Sequence, residues 1–287
     1  MTKRGEERRP GLAVDGPGRP EGGSEPAGAA RAAPSDSAVS PVVAVLSSVS
    51  MIDYPGRLAA VFFTAGCNFR CRFCHNAALV ARPGAAYAWD DLRARARAFR
   101  DEWADGVVIS GGEPTLAAGL PALVAELKAL GFAVKLDTNG SHPEILAALL
   151  PLLDYVAMDV KTAPPRYESL TGFADTDALA RSMELLRDGP TDYELRTTVI
   201  AGEHDEPCMD ALGEWVRGAR RWVLQPFVPR ADLPDPALRA VPRTPGARLY
   251  ELRARLAECA GEVLVRGGET LPEVPLRGVP RRAPATR

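Results

Sequence analysis

The chain has 287 residues, 46% of them hydrophobic, which is enough apolar material for one sizeable core and fits a single catalytic domain with tails. Its formal net charge of −2 and pI near 6.0 offer no electrostatic handle for nucleic acid or an anionic membrane. It has no run of eighteen apolar residues and no signal-type apolar segment, so the sequence argues against a membrane protein and predicts a cytoplasmic one.

Residues 1–38 are dominated by Gly, Pro, Ala and charge, and are expected to be a disordered N-terminal extension. The segments 43–47 and 58–64 read as strands that pair across the Pro55-Gly56 turn signal, and the second leads directly into a cysteine-rich loop. Beyond it, helical patterns at 90–103, 117–130, 143–150, 177–187, 208–217 and 245–259 alternate with strand patterns at 106–110, 133–137, 155–159, 193–200 and 222–225. Repeated βα units predict an α/β fold with parallel strands and right-handed crossovers, a partial (β/α)6 barrel spanning 39–271. Residues 272–287, interrupted by Pro272, Pro275, Pro280 and Pro284, are expected to be a flexible C-terminal tail.

Cys67, Cys71 and Cys74 lie in TAGCNFRCRFCHN (64–76) at CxxxCxxC spacing. Three thiolates this close can each ligate a different iron of one [4Fe-4S] cluster and leave the fourth iron open for substrate. A structural zinc site completed by His75 is a second reading, but it lacks the second ligand pair of ordinary zinc modules. Three buried core thiols are a third, and a core gives no reason to cluster them among Asn68, Arg70 and Arg72. Clustered cysteines in a reducing compartment read as metal ligands rather than disulfides. Cys208 and Cys259 share no such spacing.

Ligands of parallel βα proteins bind at the carboxyl ends of the strands, and there the chain places the cysteines, then GGEP, DTNG and DVK. Gly111 and Gly112 let the backbone approach a ligand closely and Glu113 adds an acceptor, although a glycine turn opening the next helix reads equally well. Asp137, Thr138 and Asn139 end a strand where an Asn139-Gly140 turn is the plain alternative. Asp159 and Lys161 share one face of an extended segment and can form a structural ion pair. Arg196 and Gln225 point to the same rim if the register is right. His142 and His204 read as solvated loop residues.

With Phe73 as the aromatic of CxxxCx(aromatic)C, the loop resembles that of radical S-adenosylmethionine (SAM) enzymes. Within that superfamily the chain is similar to the activating proteins of anaerobic ribonucleoside-triphosphate reductase. The similar stretches, at 50–79, 107–116, 134–140, 155–162, 193–199 and 222–227, occur in order. Ala77 stands where that subfamily often has proline after CHN.

The resemblance implies a [4Fe-4S] cluster on Cys67, Cys71 and Cys74 and SAM held by the GGE segment, Gly111, Gly112 and Glu113. It further implies a methionyl carboxylate contact at Lys161, a sulfonium or ribose contact at Asn139, and Asp137 and Asp159 as candidate ligands of a monovalent cation. Phe73 is a candidate for stacking on adenine, and Arg196 and Gln225 for contact with SAM or a peptide substrate. The implied reaction is one-electron cleavage of SAM to a 5′-deoxyadenosyl radical that takes hydrogen from a glycine Cα of the reductase, with a flavodoxin or ferredoxin supplying the electron. An activase of another glycyl-radical enzyme, a radical SAM enzyme acting on a small molecule, and a non-catalytic iron–sulfur module are the alternatives.

Overall fold

In the computed structural model of the chain, residues 14–15, 39–81 and 84–268 are described. Most of the N-terminal extension and the whole 272–287 tail lie outside these residues. Val14–Asp15, within the stretch expected to lack order, forms a short strand, β1.

The remaining strands are β2 Val42–Leu46, β3 Ala59–Thr64, β4 Gly106–Gly111, β5 Ala133–Thr138, β6 Tyr155–Asp159, β7 Asp192–Val199, β8 Ala219–Pro226 and β9 Ala260–Val265. Among the described residues they form one nine-stranded sheet in sequential order, antiparallel from β1 to β3 and parallel from β3 to β9. Sequential parallel order with helical crossovers is the winding of a barrel rather than of a doubly wound sheet. β1 and β9 lie at opposite ends of the strand order, so the barrel is partial, as expected.

The helices are α1 Ala77–Ala81, α2 Trp89–Asp101, α3 Leu120–Ala129, α4 Pro143–Leu149, α5 Pro164–Thr171, α6 Thr176–Asp188, α7 Glu206–Trp215, α8 Pro236–Arg239 and α9 Gly246–Arg255. None among the described residues is long and apolar enough to cross a membrane. The helix expected over 117–130 is a 3-10 turn, Pro114–Leu116, followed by α3, with Gly119 and Pro121 at the break.

Period-two alternation divides every parallel strand. Phe62, Ile109, Leu136, Met158, Leu195 and Trp222 face the helices and join the main core. On the other face, Ala59, Val61, Val108, Tyr155 and Ala157 form a small apolar cluster, and around it the strands carry charge. Lys135, Asp137, Asp159, Glu194, Arg196 and Arg221 share this concave side by strand parity.

Glu194, its side chain 1% exposed, accepts both guanidinium nitrogens of Arg266 at 2.7 Å and the Tyr155 hydroxyl at 3.0 Å. Burial alone would push the Glu194 carboxyl up, but the Arg266 guanidinium holds it below the usual carboxylate range. The pair's contribution to stability is therefore present above the unfolded value of about 4.3 and is lost as pH falls through the lower folded value. Arg266→Met, which strands the carboxylate, should cost about 3 kcal/mol in urea denaturation at pH 7. Its difference from the wild type should shrink at pH 3; an equal loss at both pH values would contradict this account.

Candidate functional site

The cysteine loop leaves the carboxyl end of β3 and is fastened on every side. Thr64 O accepts Gly112 N–H at 3.2 Å and Gly66 O accepts Glu113 N–H at 2.8 Å, which joins the loop to the end of β4. Asn76 Nδ2 donates to Gly111 O at 2.8 Å. Toward β5, Asn68 Nδ2 donates to Ser141 Oγ at 2.9 Å, and Asn139 Nδ2 donates to Asn68 Oδ1 at 3.0 Å.

On the far side the loop rests on the end of α5. Arg70 N–H donates to Thr171 O at 2.6 Å and Arg72 N–H to Leu170 O at 3.1 Å, while Phe69 stacks on Phe173 with centroids 4.6 Å apart. The Arg72 guanidinium pairs with Glu203 and Asp235, both at 2.7 Å. These ties fix the backbone of a short segment that has no regular structure of its own.

Cys71 is buried, while Cys67 and Cys74 are half-buried. Burial pushes the Cys71 thiol up to about 12 and raises that of Cys67, so metal binding at this loop must be coupled to proton release. Among the described residues no three His, Cys, Asp or Glu side chains converge on a single ion. A cubane does not need that convergence, since each thiolate takes a different iron, and the donor set is the soft thiolate set such a cluster requires. His75, the fourth ligand in the zinc reading, instead lies with Nε2 3.1 Å from Val228 O. Cys208 is buried on α7 with its sulfur 3.3 Å from Thr162 Oγ1, and Cys259 is buried against Gly213.

The glycine pair serves a close approach within the chain. A Cβ on Gly112 would lie 1.8 Å from Gly66 O and 3.2 Å from Cys67 Cβ, and one on Gly111, whose φ is +130°, would lie 2.2 Å from Thr64 O. Both glycines let β4 and the cysteine loop touch each other. Glu113, expected to present an acceptor to ligand, is 0% exposed. Oε1 accepts from Thr115 N–H at 3.1 Å, Thr115 Oγ1 at 2.6 Å and Thr138 Oγ1 at 2.7 Å, and Oε2 accepts from Asn139 N–H at 2.6 Å. Its side chain clamps the ends of β4 and β5. Asn139 is likewise committed, with Oδ1 accepting Ser141 N–H at 2.9 Å.

Asp137 and Asp159, expected as ligands of a monovalent cation, already face cations of the chain. Asp137 Oδ1 pairs with Lys135 Nζ and Oδ2 with Arg196 Nη1 at 3.0 Å. Asp159 Oδ1 pairs with Arg196 Nε at 2.8 Å and Oδ2 with Lys161 Nζ at 3.2 Å. Each carboxylate oxygen has a cationic donor from the chain.

Arg196 is on the concave face, in register with Asp159, and Gln225 ends β8 opposite Thr198. Phe73 is 8% exposed within the core, and Lys161 Nζ stands 5.7 Å from its ring centroid, which leaves little of the ring for a base to cover. His204 is not solvated: it is 3% exposed, its Nδ1 accepts Ile200 N–H at 3.0 Å, and its Nε2–H is left to donate to Lys161 O at 3.0 Å. Burial lowers its pKa and keeps the ring neutral. His142, half-buried, has Nδ1 3.0 Å from Thr115 Oγ1.

Sequence reading gives no role to Lys135, Asn68, Asn76 and Thr115, and reads His204 as solvated. Lys135 alone carried a signal: a charge two residues before Asp137 in an otherwise apolar strand shares its face. The others find their partners across loops.

The family described as the Radical SAM superfamily matches residues 61–213. The chain is 30% identical over 236 residues to the "Putative glycyl-radical enzyme activating enzyme" of Methanocaldococcus jannaschii, covering 78% of this chain and 95% of that protein. It is 29% identical over 199 residues to the pyruvate formate-lyase-activating enzyme of Streptococcus mutans, covering 63% of this chain and 74% of that one. The crystal structure of Streptococcus suis SuiB bound to precursor peptide SuiA superposes with a TM-score of 0.59 at 14% identity, over 72% of this chain and 48% of SuiB. The chain thus spans about half of SuiB, and the likeness is one of fold.

Because Gly112 packs on the loop that carries the cysteines, Gly112→Ala should lose most of its iron on anaerobic reconstitution, while Cys208→Ala should keep it. Iron and sulfide analysis of the two proteins checks this. A Gly112→Ala protein that is folded by circular dichroism and fully loaded would show that the close approach is not required.

Proposed function

The chain belongs to the radical SAM superfamily, and from that premise and its likeness to glycyl-radical activases we propose that it activates an anaerobic ribonucleoside-triphosphate reductase. The observation that carries the choice of target is the run of stretches at 50–79, 107–116, 134–140, 155–162, 193–199 and 222–227, in the order of that subfamily's activating proteins. From 107–116 onward these stretches end the parallel strands, so the resemblance follows one rim of the barrel.

Cys67, Cys71 and Cys74 would hold the [4Fe-4S] cluster. Together with SAM, that cluster supplies one-electron cleavage of the sulfonium S–C5′ bond and a carbon radical able to take hydrogen from a glycine Cα. The chain's own residues orient and shield. Lys161, over the Phe73 ring, and Arg196, paired with the same Asp159, suit the methionyl carboxylate, with Gln225 at the same rim for SAM or the peptide substrate. Glu113, Asn139 and the two glycines hold the loop and the strand ends at fixed spacing, which is the pre-organisation a bound cofactor needs. Phe73 and Phe69 close the apolar side of the loop against water. A peptide loop of the target would enter at the open rim, and a flavodoxin or ferredoxin in the cytoplasm would deliver the electron.

The relative from Streptococcus mutans favours pyruvate formate-lyase as the second target to consider. Reconstituted protein, reduced with SAM and offered each candidate from the same host, should release 5′-deoxyadenosine. It should also raise a glycyl doublet in the electron paramagnetic resonance spectrum of the ribonucleotide reductase. Cys71→Ala should abolish both signals. A doublet on pyruvate formate-lyase alone, or cleavage without any protein radical, would overturn the choice of target.

A further inference from the structure

Lys135, like Glu113, is a charged group with no exposed surface. It sits in the middle of β5, 0% exposed, with its side chain on the concave face and its ammonium on Asp137. A lysine there is costly: burial works against its charge, and Arg196 adds repulsion. A positioning role for it must therefore be found in what its charge does to its neighbours.

Asp137 and Asp159 meet Lys135, Arg196 and Lys161, so this cluster holds two carboxylates and three cations. All four carboxylate oxygens have a cationic donor, Arg196 bridging the two acids and the lysines capping the ends. The Glu194–Arg266 pair next to it is balanced by itself. Within this cluster one positive charge is left over, and the member that reaches the cysteine loop is Lys161, over the Phe73 ring. Without Lys135 the cluster would be neutral and Asp137 would rely on Arg196 alone. Arg196 would then be drawn toward Asp137 and be less able to turn to an incoming anion.

We propose that Lys135 is a built-in counter-cation, which satisfies Asp137 from within the chain so that the rim works without an inorganic monovalent cation and keeps one spare positive charge for an incoming carboxylate. The identity of that carboxylate as the methionyl end of SAM rests on the function proposed above; the cation independence does not.

The test uses the full chain, with and without reconstituted cluster, in NaCl, KCl or choline chloride at equal ionic strength. Wild-type melting temperature and SAM affinity by titration should be the same in all three salts. Lys135→Met should melt several degrees lower in choline chloride. It should regain part of that loss in NaCl or KCl, because a small cation can then take the place of the ammonium beside Asp137. Should Lys135→Met fail to fold, the Lys135→Met/Asp137→Asn double variant, which removes the charge and its partner together, should fold and be indifferent to salt identity. Saturable stabilisation of the wild type by Na⁺ or K⁺ over choline would overturn the proposal. So would a Lys135→Met protein unaffected in both stability and salt response, or a double variant as damaged as the single one. Loss of SAM cleavage with this pattern intact would count against the proposed function and not against Lys135.

Discussion

The Glu113 carboxylate, with no exposed surface and four donors around it, is the point from which the rim is built. A buried carboxylate costs several kcal/mol unless its oxygens are satisfied, and here the donors come from the turn after β4 and from the end of β5. Those two strand ends are therefore held at one spacing. The backbone N–H of the same residue reaches Gly66, so the cysteine loop is set by the same knot. Gly112 makes that reach feasible, since any side chain there would occupy the space of the Gly66 carbonyl. Placement of three thiolates thus depends on a carboxylate that does not touch them.

A second constraint comes from the alternation of the strands. Helices cover one face, so charge on the strands is directed to the concave side, where it is enclosed and must be paired. Glu194 with Arg266 and the line from Lys135 through Asp137, Arg196 and Asp159 to Lys161 meet this requirement. Paired in this way, the charges favour one arrangement over others, because any slip of register by one residue would turn them into the apolar layer. The interior of the barrel is then both a core and a source of field at its open end.

Much of this was legible beforehand, and the physical reasons for the exceptions are specific. β6 appears with the bounds read for it, since an apolar run ending in Asp159 has only one plausible period. The cysteine loop and the rim position of each polar cluster follow from spacing and from parallel βα order. α5 was not anticipated because Pro164-Pro165 reads as a breaker, although proline suits the first turn of a helix, where no N–H donor is needed. β9 was missed because Gly261 and Glu262 weaken its apolar pattern; it pairs only at the edge beside β8. His204 was taken as a surface residue because its partner, the Lys161 carbonyl, lies 43 residues away in the chain.

The polar residues of the site share a constraint. A polar side chain at the end of a strand reads as a ligand contact, yet a closed interior first demands that such groups satisfy one another. Glu113 and Asn139 are spent on that demand, and so are Asp137 and Asp159. Surface remains at Cys67, Cys74 and Gln225, at Lys161 with 15% side-chain exposure and at Asp159 with 33%. Arg196, though enclosed, has its charge shared between two acids and is the group whose pairing an incoming anion would most readily rearrange. The chemistry proposed for the rim falls to these few residues and Cys71, and the larger polar population around them keeps their positions and charge fixed.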